Sequence, residues 1–290
     1  MITYHRKLID GQELFYRAAG SSERPTIVLL HGFPSSSHMF RDLIPALAGD
    51  FHVIAPDFIG FGYSAQPAAS EFRYTFDHLA RWTERLLLEE LGLKRFAIYV
   101  QDYGAPVGFR IASGHPDRVS AIVVQNGNAY AEGLSPAWAP LRALWSKRSG
   151  ETEAAVRAFL APETTRFQYT EGVRDASRIS PDSYTFDQYF LDRAGNDAIQ
   201  IELFNDYASN LELYPRWHEY FRRHQPPMLI VWGKGDPFFT VAGAEAFRRD
   251  LPKAELHLLD TGHFALEDHS EYIAEQMQRF LSGVFEKERR

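Results

Sequence analysis

Cysteine is absent from the 290 residues. That excludes disulfides, thiolate catalysis and Cys-ligated zinc. A long basic cluster is also missing, and the net charge is −7. Nucleic acid and anionic membranes are therefore not expected as partners. No apolar stretch approaches membrane-spanning length. The first residues, Met1-Ile-Thr-Tyr-His-Arg-Lys7, lack the apolar run of a signal peptide, so a soluble cytoplasmic protein is expected. There is no internal repeat and no low-complexity tract. What the chain does have is 45% hydrophobic and 14% aromatic residues, enough to bury the core of one large α/β domain with an insertion.

Asp10-Gly11 between the alternating segments Thr3–Ile9 and Glu13–Ala18 signals a β-hairpin. Buried strand patterns then alternate with helix patterns. Ile27–Leu30, His52–Ala55, Phe96–Val100 and Val119–Val124 read as strands. Phe76–Leu91 and Gly104–Gly114 read as helices. Such alternation predicts a mostly parallel sheet with helices on both faces. It stops near Ala129. Until about Arg223 the chain is rich in aromatics and helix formers, with helices expected over Ala137–Trp145, Thr152–Leu160, Ser183–Arg193 and Ala198–Asn210. Strand patterns return at Met228–Trp232 and Glu255–Leu259, and Glu271–Phe285 reads as a closing helix. The expected organisation is a core domain from residues 1–129 and 224–290, with residues 130–223 inserted as a helical cap.

The most informative stretch is Ile98-Tyr99-Val100-Gln101-Asp102-Tyr103-Gly104-Ala105. It reads as strand, sharp turn and helix with Asp102 at the apex. A nucleophile elbow lifts one reactive side chain above the carboxyl end of a sheet in this way, usually a serine. A carboxylate there changes the chemistry from acyl transfer to attack on an sp³ carbon. His31-Gly32-Phe33-Pro34 follows a strand directly. The Phe33 N–H and the Tyr103 N–H together would form an oxyanion hole, although a strand-ending turn alone would also explain the dipeptide. Asp236 and His263 each follow a predicted strand. An isolated Asp-Pro is most often a turn, and most of the eleven histidines are surface or core residues. The chain order nucleophile, acid, histidine sets this trio apart. Gly60-Phe61-Gly62 precedes no helix start and is read as a loop, not a phosphate cradle.

With these residues in view, the chain resembles an α/β-hydrolase over residues 1–128 and 225–290. His-Gly-Phe-Pro, the loop Pro56-Asp57-Phe-Ile-Gly60-Phe-Gly62-Tyr-Ser64 and Gln-Asp-Tyr-Gly are similar to the epoxide hydrolase and haloalkane dehalogenase branch. The resemblance implies an eight-stranded sheet, an aspartate nucleophile and a catalytic acid after the sixth or seventh strand. Asp236 matches the position after the seventh. After the sixth stand Gln125-Asn126, with Glu132 further on as the runner-up acid.

The implied mechanism is attack by Asp102 on carbon, then hydrolysis of the ester by water that His263 activates and Asp236 orients, with no cofactor or metal. The substrate would be a small apolar organic molecule, and the protein a monomer or homodimer. Dehalogenases of the branch cradle halide with a Trp after the nucleophile and a second Asn or Trp donor. Here those positions hold Tyr103 and Phe33, leaving Trp138, Trp145 or Trp217 to serve. Epoxide hydrolases use cap tyrosines to protonate the ring oxygen. Asn205-Asp206-Tyr207 resembles their second tyrosine segment, and Tyr184 and Tyr189 are candidates for the other donor, each with packing as the competing explanation. These features favour epoxide hydrolysis over haloalkane dehalogenation. Ester hydrolysis and a binding protein on the same fold are further alternatives.

Overall fold

The computed structural model describes residues 1–288. Its strands are β1 (Thr3–Ile9), β2 (Gln12–Ala19), β3 (Thr26–Leu30), β4 (His52–Pro56), β5 (Phe96–Gln101), β6 (Val119–Gln125), β7 (Met228–Gly233) and β8 (Glu255–Leu259). They form one eight-stranded sheet in the order β1-β2-β4-β3-β5-β6-β7-β8. The pairs β1–β2 and β2–β4 are antiparallel, and the rest are parallel. Asp10 and Gly11 turn the β1–β2 hairpin with positive φ at both positions, as a two-residue Asp-Gly turn demands.

Both faces of the central strands are buried. In β5, Phe96, Ile98 and Val100 enter one hydrophobic cluster, while Ala97 and Tyr99 enter the other. In β7, Met228, Ile230 and Trp232 divide from Leu229 and Val231 in the same way. A parallel strand covered by helices on both faces needs this unbroken apolar run.

Between β6 and β7 the chain adds helices and contributes no strand to the sheet. They include Ala139–Ser146, Gly150–Arg157, Pro162–Thr170, Pro181–Leu191, Asn196–Asp206 and Ala208–His224. Two of these lay outside the expected set. Pro162 opens the helix Pro162–Thr170, where its missing N–H is not needed. Ala208–His224 carries Pro215 in its interior, a residue that normally ends a helical pattern. Phe204 packs edge-on against Phe33 just past β3, and Tyr207 against Tyr103 just past β5, so this segment lies over the carboxyl ends of the two strands.

Elsewhere, the expected Phe76–Leu91 helix is α-helical over Phe76–Arg85 and widens to a π-turn at Leu86–Glu90. Val241–Asp250 is a further helix not anticipated, and the last helix starts earlier, at Leu266, with a break at His269. Among the described residues no helix is long and apolar enough to cross a membrane.

Candidate active site

Asp102 sits between β5 and the helix Gly104–Gly114 with φ 48°, a left-handed conformation that costs a non-glycine residue roughly 1–3 kcal/mol. Neighbours over-determine it. Its N–H donates to the Asn126 carbonyl at 3.3 Å, and its own carbonyl accepts from the Ala105 N–H at 3.0 Å. The fit requires glycine on both sides. A Cβ on Gly32 would lie 2.3 Å from the Asp102 Cβ, and one on Gly104 would lie 2.2 Å from the Leu30 carbonyl oxygen.

The Phe33 N–H donates to Asp102 Oδ1 at 2.7 Å. Burial raises the carboxyl to about 6, although His263 and the Phe33 and Tyr103 N–H groups all favour its charge. The two expected oxyanion donors therefore both act on the Asp102 carboxylate itself.

His263 Nδ1 lies 2.7 Å from Asp236 Oδ2, and its Nε2 faces Asp102 Oδ2 at 3.9 Å. Burial lowers the imidazole pKa, but the charge and hydrogen bond of Asp236, with Asp102, outweigh it and the net shift is upward. Asp236 is held at four points. Oδ1 accepts from the Phe238 and Phe239 N–H groups at 2.7 and 3.1 Å, and Oδ2 from Asn126 Nδ2 at 2.8 Å as well as from His263. Asn126 occupies the position after β6 where an acid was the alternative. Glu132 instead pairs with Arg249 at 2.6 Å. Gln101 Nε2 approaches His263 Nε2 at 2.9 Å, and Gln101 Oε1 has no partner among the described residues.

The two remaining motifs brace each other. His31 Nε2 accepts from the Phe58 N–H at 3.0 Å, and burial lowers the ring to about 4, leaving it neutral. Asp57 accepts from the Ser37 and Tyr63 N–H groups at 2.7 and 2.8 Å. Both loops that flank the elbow are thereby fixed.

A pocket of about 40 Å³ opens over Asp102 and His263, walled by Phe33, Tyr103, Phe204 and Gln168 among others. Tyr207 is buried beside it, 6.0 Å from the Tyr103 ring and 4.5 Å from Trp138. Burial, then Tyr214 and Asp102, raise its hydroxyl pKa well above the ordinary value.

The other tyrosine candidates are not at the site. Tyr189 is 68% exposed, and Tyr184 packs on Tyr169 against the cluster on the opposite face of the sheet. On a helix the side that meets the pocket is set by packing, which residue type does not reveal. The tryptophans are also unavailable as halide donors. The Trp138 and Trp145 indole N–H groups donate to the Phe238 and Phe204 carbonyls at 3.0 and 2.8 Å. Trp217 packs on Phe109 and does not line the pocket.

Sequence reading missed three groups. The Tyr103 hydroxyl is buried without a partner among the described residues, and its residue lines the pocket. Tyr214 accepts from Asn128 Nδ2 at 3.0 Å beside Tyr207, and its place seven residues after Tyr207, which caps the helix carrying Tyr214, was a usable signal. Gln168 carried no signal of its own. Among the described residues, no cluster of three His, Asp or Glu side chains is placed to hold a metal.

A model of the alpha/beta hydrolase fold family matches residues 25–270. An uncharacterized hydrolase of Saccharomyces cerevisiae is 44% identical over 272 residues, spanning 92% of this chain and 93% of its own. A haloalkane dehalogenase of Mycobacterium marinum is 29% identical over 284 residues, spanning 91% of this chain and 87% of its own. The solved structure of the epoxide hydrolase CorEH superposes with a TM-score of 0.77 at 20% identity, covering 98% and 100% of the two chains, a likeness of fold. The chain belongs to the α/β-hydrolase fold family and is similar to its haloalkane dehalogenase and epoxide hydrolase branch.

Proposed function

We propose that this hydrolase opens small epoxides to diols through a covalent ester on Asp102. The observation that carries this choice of electrophile is the set of donors around the pocket. The Trp138 and nearby Trp145 indole N–H groups are spent on backbone carbonyls, while the Tyr103 hydroxyl is buried without a partner among the described residues and Tyr207 lies alongside. A phenol can give a proton to a ring oxygen, whereas halide needs only a fixed N–H cradle.

In the first step Asp102 Oδ2 attacks a ring carbon. The C–O bond of the epoxide breaks, and the ring oxygen takes a proton from Tyr207, with Tyr103 as the second donor in the place sought at Tyr184 and Tyr189. In the second step His263 Nε2 takes a proton from water, which attacks Cγ of the ester. Charge gathers on Oδ1, where the Phe33 and Tyr103 N–H groups already point. Collapse breaks the Cγ–Oδ2 bond, the diol leaves with Oδ2 and the proton held by His263, and the second water proton, left on the new Asp102 carboxyl, returns to the Tyr207 phenolate to regenerate both groups. Asp236 keeps Nδ1–H oriented throughout.

Residues 130–223 act in this reading as the cap that shuts water and substrate into an apolar chamber walled by Phe33, Trp138, Phe204 and Phe238. A small, largely apolar organic substrate suits those walls.

The test uses His263→Gln, which permits ester formation and blocks its hydrolysis. With an epoxide, intact-mass measurement should show the protein heavier by the whole epoxide. With a haloalkane it should show no adduct. An alkyl adduct from the haloalkane alone makes the protein a dehalogenase.

A further inference from the structure

The pocket contains one polar side chain that the proposed chemistry does not use. Gln168 lies on the helix Pro162–Thr170, is 4% exposed, and lines the pocket together with Asp102 and His263. Its Nε2 is buried without a hydrogen-bond partner among the described residues. The buried polar groups beside it on the same helix are paired. Thr165 donates to Gln188 Oε1 at 2.6 Å, and the Tyr169 hydroxyl donates to Asp187. An amide left unpaired in an apolar wall is costly, and a bound acceptor would repay that cost only when substrate is present.

The pocket is also small. Its volume of about 40 Å³ suits a compact substrate. A substrate that fills it places any oxygen it carries close to every wall.

We propose that Gln168 is a specificity-determining binding residue whose amide donates to a second oxygen on the substrate. The preferred class is then a short terminal epoxide bearing an ether or hydroxyl oxygen near the ring, in place of a plain hydrocarbon epoxide. This rests on the epoxide reading. The ring oxygen itself is left to the tyrosines, because an amide N–H orients an acceptor but does not supply a proton to it.

The experiment compares glycidyl methyl ether with terminal epoxypentane, which have the same heavy-atom count and differ by one oxygen for one methylene. The wild-type protein should favour the ether in kcat/KM by on the order of tenfold to a hundredfold, the range expected when a buried donor is left unmatched. Gln168→Met, of similar length and without a donor, should abolish that preference through loss on the ether alone. It should also raise the thermal midpoint, because an unpaired buried amide is removed. Gln168→Leu is the second variant. It keeps a branched side chain, has neither donor nor acceptor, and should lose the same preference. An unchanged ether-to-alkane ratio in both variants overturns the proposal. Equal losses on both epoxides would place the amide on the ring oxygen and overturn it as well. No turnover of either epoxide by the wild type is a different result, the failure of the epoxide reading itself.

Discussion

Asn126 Nδ2 and His263 Nδ1 meet the same oxygen, Oδ2 of Asp236, at 2.8 and 2.7 Å. Asn126 reaches it from the end of β6 with φ 43°, anchored by two hydrogen bonds to the Gly233 backbone. The two strand ends that can each carry an acid in this branch thus converge on one point.

That convergence predicts a transferable acid. Asp236→Asn should slow ester hydrolysis severely and let the covalent ester accumulate. Adding Asn126→Asp to it should restore the rate at least about tenfold, because a carboxylate returns to the same neighbourhood. Asn126→Ala alone should cost about tenfold to a hundredfold, since a hydrogen bond to a charged group contributes roughly 1.5–3 kcal/mol. Single-turnover kinetics read both. A double variant no faster than Asp236→Asn would show that the β6 position only braces Asp236.

The pH dependence separates the two steps. Ester formation needs ionised Asp102, whose carboxyl is raised to about 6 by burial. The rate of ester formation should therefore fall as pH drops through about 6, well above the usual carboxylate range. Hydrolysis needs neutral His263, which burial lowers but Asp236 and Asp102 together raise above its ordinary value. Once Asp102 is esterified its charge is gone, so the imidazole in the intermediate should titrate lower than in the free protein. Quench-flow on each step across pH gives both limbs. An ester-formation limb near the usual carboxylate value would contradict the burial argument.

A related prediction concerns stability. The Asp102 pKa is higher folded than unfolded, so its contribution is present at low pH and is lost as pH rises from about 4 through about 6. The shift corresponds to on the order of 3 kcal/mol at neutral pH, at about 1.36 kcal/mol per unit. Asp102→Asn should be inactive when fresh and more heat-stable than wild type at pH 8, by several degrees. The gain should shrink at pH 4, where the wild-type carboxyl is already protonated. A thermal scan at the two pH values checks it.

These features were unequally legible in the sequence. Asp102 and Asp236 stood out because each follows a strand whose buried run, such as Phe96–Val100, announces itself, and His263 because it follows the last strand pattern in the order nucleophile, acid, histidine. Backbone donors were legible for the same reason: the Phe33 and Tyr103 N–H groups are placed by the strand ends. Above the sheet the signal fails. The helix Ala208–His224 was missed almost whole, and Pro215 in its interior argues locally against a continuous helix. Tyr189 and Tyr207 are chemically identical, yet one is exposed and the other buried next to Tyr103. Gln168 faces the pocket only because of how its helix is set down on the others, a relation between distant parts of the chain that no local pattern records.

The last prediction tests the tyrosines. Tyr207→Phe keeps the ring that packs on Tyr103, Trp138 and Phe76, and removes only the hydroxyl. Ester formation from an epoxide should slow by ~10²–10⁴-fold, the range for general acid assistance. Hydrolysis of the ester, once formed, should change little, because that step runs through His263. Tyr103→Phe keeps the backbone N–H on Asp102 and should slow the same step by a smaller factor, since Tyr207 remains. The double variant should retain the nucleophile and still lose epoxide turnover. With His263→Gln added to block hydrolysis, mass spectrometry after long incubation would then find slow labelling of Asp102. Normal ester formation in Tyr207→Phe would remove the tyrosine from the reaction and leave the Tyr103 hydroxyl as the proton source.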